Sequence, residues 1–307
     1  MKTLILSHED CLLHDNGAKI AETPARVRAV LAATTDIAGT EHLPAPLASE
    51  EQILRVHEPE YWSGLIEKEP QEGRIALDWD TFMSRGSLDA TRRASGAACF
   101  AVDQIMEGKA RNAFCATRPP GHHSYQSVAM GFCLSNHVAV AARHAQATHG
   151  LVRIAVLDFD VHHGNGTQEV FEHSSEVLFI SSHQFPLYPG SGTSDETGVG
   201  NVVNIPLAPK TGSEEFRKAW SSKGFSALFS FEPELVLVSA GFDAHERDPL
   251  GQLMLNEDDY AWFTREVRAF ADEVCDGRLV SVLEGGYDLE GLGASARAHV
   301  QALVDEN

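Results

Sequence analysis

Seven short apolar runs, each closing on a small or polar break, punctuate this chain and limit most severely what it can fold into. They are TLILS at 3–7, AFCAT at 113–117, RIAVLDFD at 153–160, EVLFISS at 176–182, VVNIP at 202–206, ELVLVSAG at 234–241 and RLVSVLEGG at 278–286. A strand with one solvated face alternates polar and apolar residues, whereas a continuous apolar run suits a strand buried on both faces. Between the runs lie segments with helical spacing: Pro24 to Thr34, Ser87 to Glu107, Asn136 to Thr148, Ser213 to Phe231, Glu257 to Val274 and Leu289 to Val304. This alternation predicts βαβ units, hence an α/β fold with a central, mostly parallel sheet covered by helices on both faces. A length of 307 residues lies within the range of large α/β single domains, so one domain, 1–307, is expected.

Composition narrows the functional classes. With 43% hydrophobic residues the chain can build a large core, and no repeat or low-complexity tract interrupts it. Disorder is expected only at the Asp305-Glu306-Asn307 end. A formal net charge of −20 counts against a nucleic-acid partner, whose binding relies on Lys and Arg neutralising phosphates. The five cysteines, Cys11, Cys99, Cys115, Cys133 and Cys275, form no CxxC pair and no dense framework, so a reducing compartment fits. The N-terminal run TLIL is too short for a signal-peptide core or a membrane span, which predicts a cytoplasmic protein with no membrane partner. Monomer and homodimer both remain open.

In such sheets ligands bind at the carboxyl ends of the strands, and there the polar clusters gather: DFDVHHGNG, SHQFPLYPGSG, GFDAHERDPLG and EGGYDLEG. Residues two apart in a strand face the same way, so Asp160 and His162 can aim at one point. A catalytic zinc takes three protein ligands and keeps an open position, and Asp243, after LVLVSAG, is the best third candidate. An isolated Asp-x-His would be read as a capped strand end; a second acid on a neighbouring strand edge favours a metal. RPPGHH at 118–123 sets His122 and His123 in tandem on a rigid loop, and imidazole is the group best suited to accept and return a proton near neutral pH. Asp158 and Asn165 are their natural partners, the carboxylate making His122 the more basic of the two. Glu284-Gly285-Gly286-Tyr287 places a phenol where it can donate to a polarised carbonyl, although Gly-Gly-Tyr alone often marks only a turn. His163 is assigned a supporting or packing place.

Taken in order, RPPGHH, GFCLSN at 131–136, LDFDVHHGNGT at 157–167, SAGFDAHERDPLG at 239–251 and LEGGYDL at 283–289 resemble the zinc-dependent histone deacetylase and acetylpolyamine amidohydrolase superfamily over nearly the whole chain. That resemblance implies an arginase-like α/β fold. It implies Zn²⁺ on Asp160, His162 and Asp243, a catalytic pair of His122 and His123 with Asp158 and Asn165 behind them, and Tyr287 as oxyanion donor. It also implies a narrow channel for an acylated alkyl amine, lined by Gly131, Phe132, Tyr188, Leu250, Gly285 and Gly286. Structural K⁺ is implied near Asp158, Asp160, His162, Ser181 and Ser182. A mixed His and carboxylate site admits Fe²⁺ as well as Zn²⁺.

Asn165 and the run Asp248-Pro249-Leu250-Gly251 are similar to the class II-like branch of that superfamily. Polyamine-selective members can carry a glutamate where this chain has Leu250, so an acetyl-lysine-like acylamine is favoured over an acetylpolyamine. The first loop departs from the family pattern, with Ile20-Ala21 ahead of Glu22 where His-Pro is usual; Arg26, which in the family can sit near an internal exit channel, is retained. Two rivals remain: an arginase-like ureohydrolase with two metal ions, for which Asp248 would be an available extra carboxylate, and a protein that binds acylated amines without turnover.

Overall fold

The structure is a computed structural model and describes residues 1–305. The expected disorder of Glu306 and Asn307 lies outside the described residues, whereas Asp305 closes the last helix through its N–H on the Gln301 carbonyl, 2.9 Å.

In chain order the strands are β1 (Thr3–Ser7), β2 (Thr40–Pro44), β3 (Arg74–Ala76), β4 (Phe82–Ser84), β5 (Asn112–Cys115), β6 (Ile154–Asp158), β7 (Val177–Gln184), β8 (Val202–Leu207), β9 (Leu235–Ala240) and β10 (Leu279–Leu283). The helices are α1 (Pro24–Thr34), α2 (Glu50–Leu54), α3 (Pro59–Lys68), α4 (Ser87–Met106), α5 (His137–His149), α6 (Asn165–Phe171), α7 (Ser213–Ala219), α8 (Phe225–Phe231), α9 (Glu257–Val274) and α10 (Leu289–Val304). Eight strands form one parallel sheet in the order β2-β1-β5-β10-β9-β6-β7-β8, and β3 and β4 make a separate antiparallel hairpin.

Alternation inside the apolar runs explains why both faces are covered. Along β6, Ile154 and Val156 join Ala97, Val102, Val138 and Ala142 of α4 and α5 in one apolar layer. Ala155 and Leu157 point the other way, into a layer shared with Val30 of α1, Phe263 of α9 and Leu292 of α10. Side chains of alternating orientation therefore feed two cores, and the run shows no polar face. Helix ends follow local chemistry: Asn136 and Asp288 accept the N–H groups of Ala139 and Gly291, and Gly150 closes α5 in the left-handed region.

Three features differ from the expected elements. The helix expected over Ser213–Phe231 is broken by a π-helical turn at Trp220–Gly224 between α7 and α8. The extra residue in that turn lets the fully buried Trp220 lie against Phe263, with ring centroids 4.6 Å apart, and donate from Nε1 to Ser182 Oγ at 2.9 Å. A Cβ at Gly224 would fall 2.3 Å from the same indole, so glycine permits the packing. The edge strand β2 and the β3–β4 hairpin add elements absent from the apolar-run pattern; β2, TEHLP, is largely exposed.

Strand order fixes where a ligand can bind. From β6 the chain runs outward through β7 and β8, then returns to place β9 on the other side of β6. This reversal of winding direction opens a crevice at the carboxyl ends of β6 and β9. All five cysteines are free and buried, and among the described residues no helix is long and apolar enough to cross a membrane.

Candidate active site

Asp160 follows β6 and Asp243 follows β9, so the two carboxylates meet across the crevice. His162 Nδ1 lies 3.1 Å from Asp160 Oδ1 and 3.1 Å from Asp243 Oδ2. Three ligands about 2.0–2.1 Å from a tetrahedral zinc would stand roughly 3.3 Å apart. The donor set and its spacing therefore fit a divalent cation, with His162 offering Nδ1. The three are nearly fully buried, and their electrostatics also favour a cation. Burial disfavours the His162 imidazolium, yet hydrogen bonds to Asp160 and Asp243 overcome that cost and raise its pKa to about 10. Burial and the Asp160 charge push the Asp243 carboxyl up to about 7.

The expected route to this convergence was strand alternation, and the structure uses another. β6 ends at Asp158, so Asp160 and His162 stand in a bent segment beyond it. The Asp158 carboxylate accepts the Asp160 N–H at 3.1 Å, and the Asp160 carboxylate accepts the His162 N–H at 2.9 Å. Each acid folds the chain by capping the amide two residues on, a habit of Asp in turns. Asp243 Oδ1 takes the Val161 N–H at 2.8 Å, and Asp160 Oδ2 takes the Gly285 N–H at 2.8 Å. Main-chain donors thus aim both carboxylates. Gly285 has to be glycine for this approach, since a Cβ would fall 2.0 Å from Asp243 Oδ2.

The tandem histidines arrive on the loop after β5, their rings 4.0 Å apart. His122 Nδ1 is 2.9 Å from Asp158 Oδ2, and His123 Nδ1 is 2.7 Å from Asn165 Oδ1 at the start of α6. Burial pulls both imidazoles towards neutrality. For His122 the Asp160 and Asp158 charges reverse this and hold its pKa well above the usual imidazole range. For His123, burial is reinforced by the positive charges of His122 and His162, and its pKa falls well below that range. The loop carrying the pair is pinned by the Glu284 carboxylate, which accepts the N–H groups of Gly121 at 2.6 Å and His122 at 3.1 Å.

A cavity of about 320 Å³ opens onto this group, with His123 and His162 at its inner end. Phe132, Tyr188 and Tyr287 form its walls. The Phe132 and Tyr287 rings meet edge to face with centroids 5.9 Å apart, and Tyr188 packs its ring 5.2 Å from that of His123. Phe132 holds a φ of +68°, a conformation uncommon outside glycine, and its N–H donates to Thr81 Oγ1 at 2.9 Å. Gly131 and Leu250 also line the cavity, as do Lys19, Ile20 and Ala21 of the atypical first loop. Gly285 and Gly286 do not border it. Lacking side chains, they lie behind the wall, where Gly285 serves Asp160 and the Gly286 carbonyl accepts Arg26 Nε at 2.6 Å. Ser181 pairs in register with Asp158, and Ser182 accepts the Trp220 indole N–H.

Residues 20–303 match the family model described as histone deacetylase domain. This chain belongs to the histone deacetylase family. It is 40% identical over 304 residues to a probable deacetylase of Archaeoglobus fulgidus, an alignment covering 95% of this chain and 83% of that one. It is 39% identical over 275 residues to a histone deacetylase-like amidohydrolase of Pseudomonas aeruginosa, covering 88% and 72% respectively. The crystal structure of the HDA15 HD domain superposes with a TM-score of 0.92 at 35% identity, covering 99% of this chain and 91% of that chain. The chain spans 21% of the length of each of two Dictyostelium discoideum type-2 histone deacetylases that it also matches.

Several parts of this deacetylase-family site escaped the sequence reasoning. Glu22 is fully buried and ties three segments together, accepting from Arg118 Nε at 2.7 Å, Arg118 Nη2 at 2.6 Å, Arg26 Nη1 at 3.2 Å and Asn16 Nδ2 at 2.9 Å. Arg118 opens the RPPGHH loop, so this bidentate pair anchors the histidines from below. Trp79 and Asp80 reach the cavity mouth from the β3–β4 hairpin turn. His163, given only a supporting place, lies between Ser191 Oγ at 2.8 Å and Gln168 Oε1 at 2.9 Å and so fastens the Tyr188 loop to α6. A second trio, Asp103, His144 and His149, also has donor atoms within 4.8 Å of one another, but it lies between α4 and α5, away from the cavity.

Proposed function

We propose that this chain is a metal-dependent amidohydrolase that cleaves the acyl–nitrogen bond of an acylated amine, acetyl-lysine or a similar acylamine, releasing amine and carboxylate. The observation that carries the proposal is one cavity facing a buried Asp160–His162–Asp243 cluster and lined by both His123 and Tyr287. Asp160, His162 and Asp243 would hold Zn²⁺ or Fe²⁺, which supplies Lewis acidity to the acyl carbonyl and to the attacking water.

The chain's own groups do the rest. His123, kept neutral by burial and by its charged neighbours, accepts the proton of the water through the nitrogen not bonded to Asn165. His122, charged against Asp158, keeps positive charge beside the reacting centre. The Tyr287 hydroxyl donates to the oxyanion as the carbonyl becomes tetrahedral. The protonated histidine then returns its proton to the departing amine nitrogen. Phe132 and Tyr188 enclose the alkyl stem of the substrate and exclude water. Leu250 leaves its side of the mouth without a charge to read a second amine, which supports acetyl-lysine over acetylpolyamine. A structural K⁺ would sit by Asp158, Asp160, His162, Ser181 and Ser182.

Turnover of matched acetyl-lysine peptide, acetylputrescine and a simple acylamide, before and after chelation and metal add-back, tests the proposal. The expected result is hydrolysis fastest on the peptide, lost on chelation and restored by one divalent ion per chain. Absence of turnover on all three with metal bound would sink it, and about two tightly bound ions per chain would favour the ureohydrolase alternative.

A further inference from the structure

Asp248 stands five residues beyond Asp243 in the loop between β9 and α9, and it is buried. Its carboxylate is turned towards main-chain amides. Oδ2 accepts the Tyr287 N–H at 2.6 Å and the Asp288 N–H at 3.3 Å, while Oδ1 accepts the Leu250 N–H at 2.9 Å. Resting on the amidohydrolase reading above, we infer that Asp248 is a positioning residue: it sets the Tyr287 phenol and the Leu250 rim of the cavity in one fixed relation.

The local chain geometry explains why such an anchor is required. β10 ends at Leu283 and α10 begins at Leu289, so Tyr287 belongs to neither element. The connecting residues are instead held one by one. The Gly285 N–H is held by Asp160, the Gly286 carbonyl by Arg26, and the Tyr287 N–H by Asp248. Only the last bond fixes the main chain of the tyrosine itself. Burial pushes the Asp248 carboxyl upward, and the three amide donors, of Leu250, Tyr287 and Asp288, oppose that shift by bonding its charged form. Loss of the Asp248 carboxylate would leave the Asp160 and Arg26 anchors in place, with the Tyr287 ring still against Arg26 and Phe132, but would free the tyrosine's main chain to shift and carry the phenol with it. A small displacement of a group acting on the transition state is enough to lower turnover by up to about 10²-fold.

A double-mutant cycle separates this role from a purely structural clasp on α10. Asp248→Asn keeps the size but only one strong acceptor oxygen, and Asp248→Ala removes both. The expected result is a kcat reduced about tenfold or more in D248A and less in D248N, with KM changed little and one metal ion retained per chain. In a Tyr287→Phe background the same substitutions should cost less than about twofold further, because the hydroxyl they misplace is already gone. Faster amide exchange in the 284–290 segment should accompany the loss. Should D248A fail to fold, D248N carries the cycle. Undiminished kcat in both Asp248 variants, or losses that multiply fully with Y287F, would overturn the inference while leaving the amidohydrolase reading intact. A wild-type chain that hydrolyses no acylamine, or a fully active Y287F, would remove the role that Asp248 is inferred to support.

Discussion

Among the described residues two trios are built from aspartate and histidine, two acids with one imidazole in the first and one acid with two imidazoles in the second, and they have little else in common. In Asp160–His162–Asp243, two carboxylates flank one imidazole, their remaining oxygens are held by main-chain N–H groups, and a cavity opens on the group. In Asp103–His144–His149, one carboxylate oxygen takes both imidazoles at 2.7 Å, so two N–H donors already satisfy it. Arg55 Nη1 lies 2.8 Å from the far nitrogen of His144, which must then accept, leaving the proton on the nitrogen facing Asp103. A guanidinium held against the ring in this way is a poor neighbour for a divalent ion. Proximity of donors is therefore common to both trios, while main-chain anchoring and access belong to one.

The largest expected effect comes from removing a ligand at each place. Asp243→Ala should abolish tight binding of the single metal ion and with it measurable turnover, whereas Asp103→Ala should leave metal content and rate as they are. Elemental analysis of dialysed protein beside turnover measures both. Equal metal loss from the two variants would erase the distinction drawn here. Next, Tyr287→Phe should retain the ion and lose about 10²–10³ in kcat, as other oxyanion donors do.

A third difference concerns imidazoles kept neutral by the interior. Burial lowers the pKa of His14, His57 and His137 to about 4, and of His299 to about 3. His57 shows why it resists protonation: its Nε2 accepts the Asn136 N–H at 2.9 Å, and a second ring proton would break that bond. Since the folded values lie below the ordinary 6.5, the unfolded chain binds more protons as pH falls from about 6.5 towards 4. The contribution of these four groups is thus full above about 6.5 and declines on acidification, by up to ~1.4 kcal/mol per pH unit for each; Asp243 and Glu284, pushed up to about 7 by burial, offset part of it, and four groups outweigh two. Urea unfolding across that range checks the sign; a flat profile would contradict it. The smallest effect should follow Arg55→Ala, which removes the guanidinium from the second trio while Gln52 Nε2 stays 3.3 Å from His144 Nδ1, and should add at most weak uptake of a second divalent ion, read by titration after the first site is filled.

The parts of this architecture that were legible in sequence share a physical cause. Central strands such as LVLVSA and IAVLD must be apolar on both faces, and the residues just beyond them must be polar, so strands and ligands announce themselves together. β2 carries the edge sequence TEHLP, and the three-residue strands β3 and β4 are too short for any period to register. Hence the hairpin and its contributions to the cavity, Trp79 and Asp80, stayed invisible. The buried pairing of Glu22 with Arg118 joins positions 96 apart, and nothing in either local stretch names the other. Likewise the acid of LEGGY was visible, but its grip on the RPPGHH loop required coordinates. The turn through which Asp160 and His162 converge was hidden for a related reason, since alternation and capping place the same two side chains together.

The position of the Asp160–His162–Asp243 cluster just beyond neighbouring strand ends has a consequence for how such proteins can diverge. Asp160 and Asp243 extend from the paired ends of β6 and β9, and the bonds to the Val161 and Gly285 amides set their approach. The mouth, by contrast, is assembled from segments scattered through the chain, at Lys19, Trp79, Phe132, Tyr188 and Leu250. Chemistry and selectivity are thereby stored in separate, independently replaceable parts. On the proposed function, insertions or exchanges in the outer segments retune which molecule enters, generation after generation, while the buried cluster beneath them is handed down unchanged.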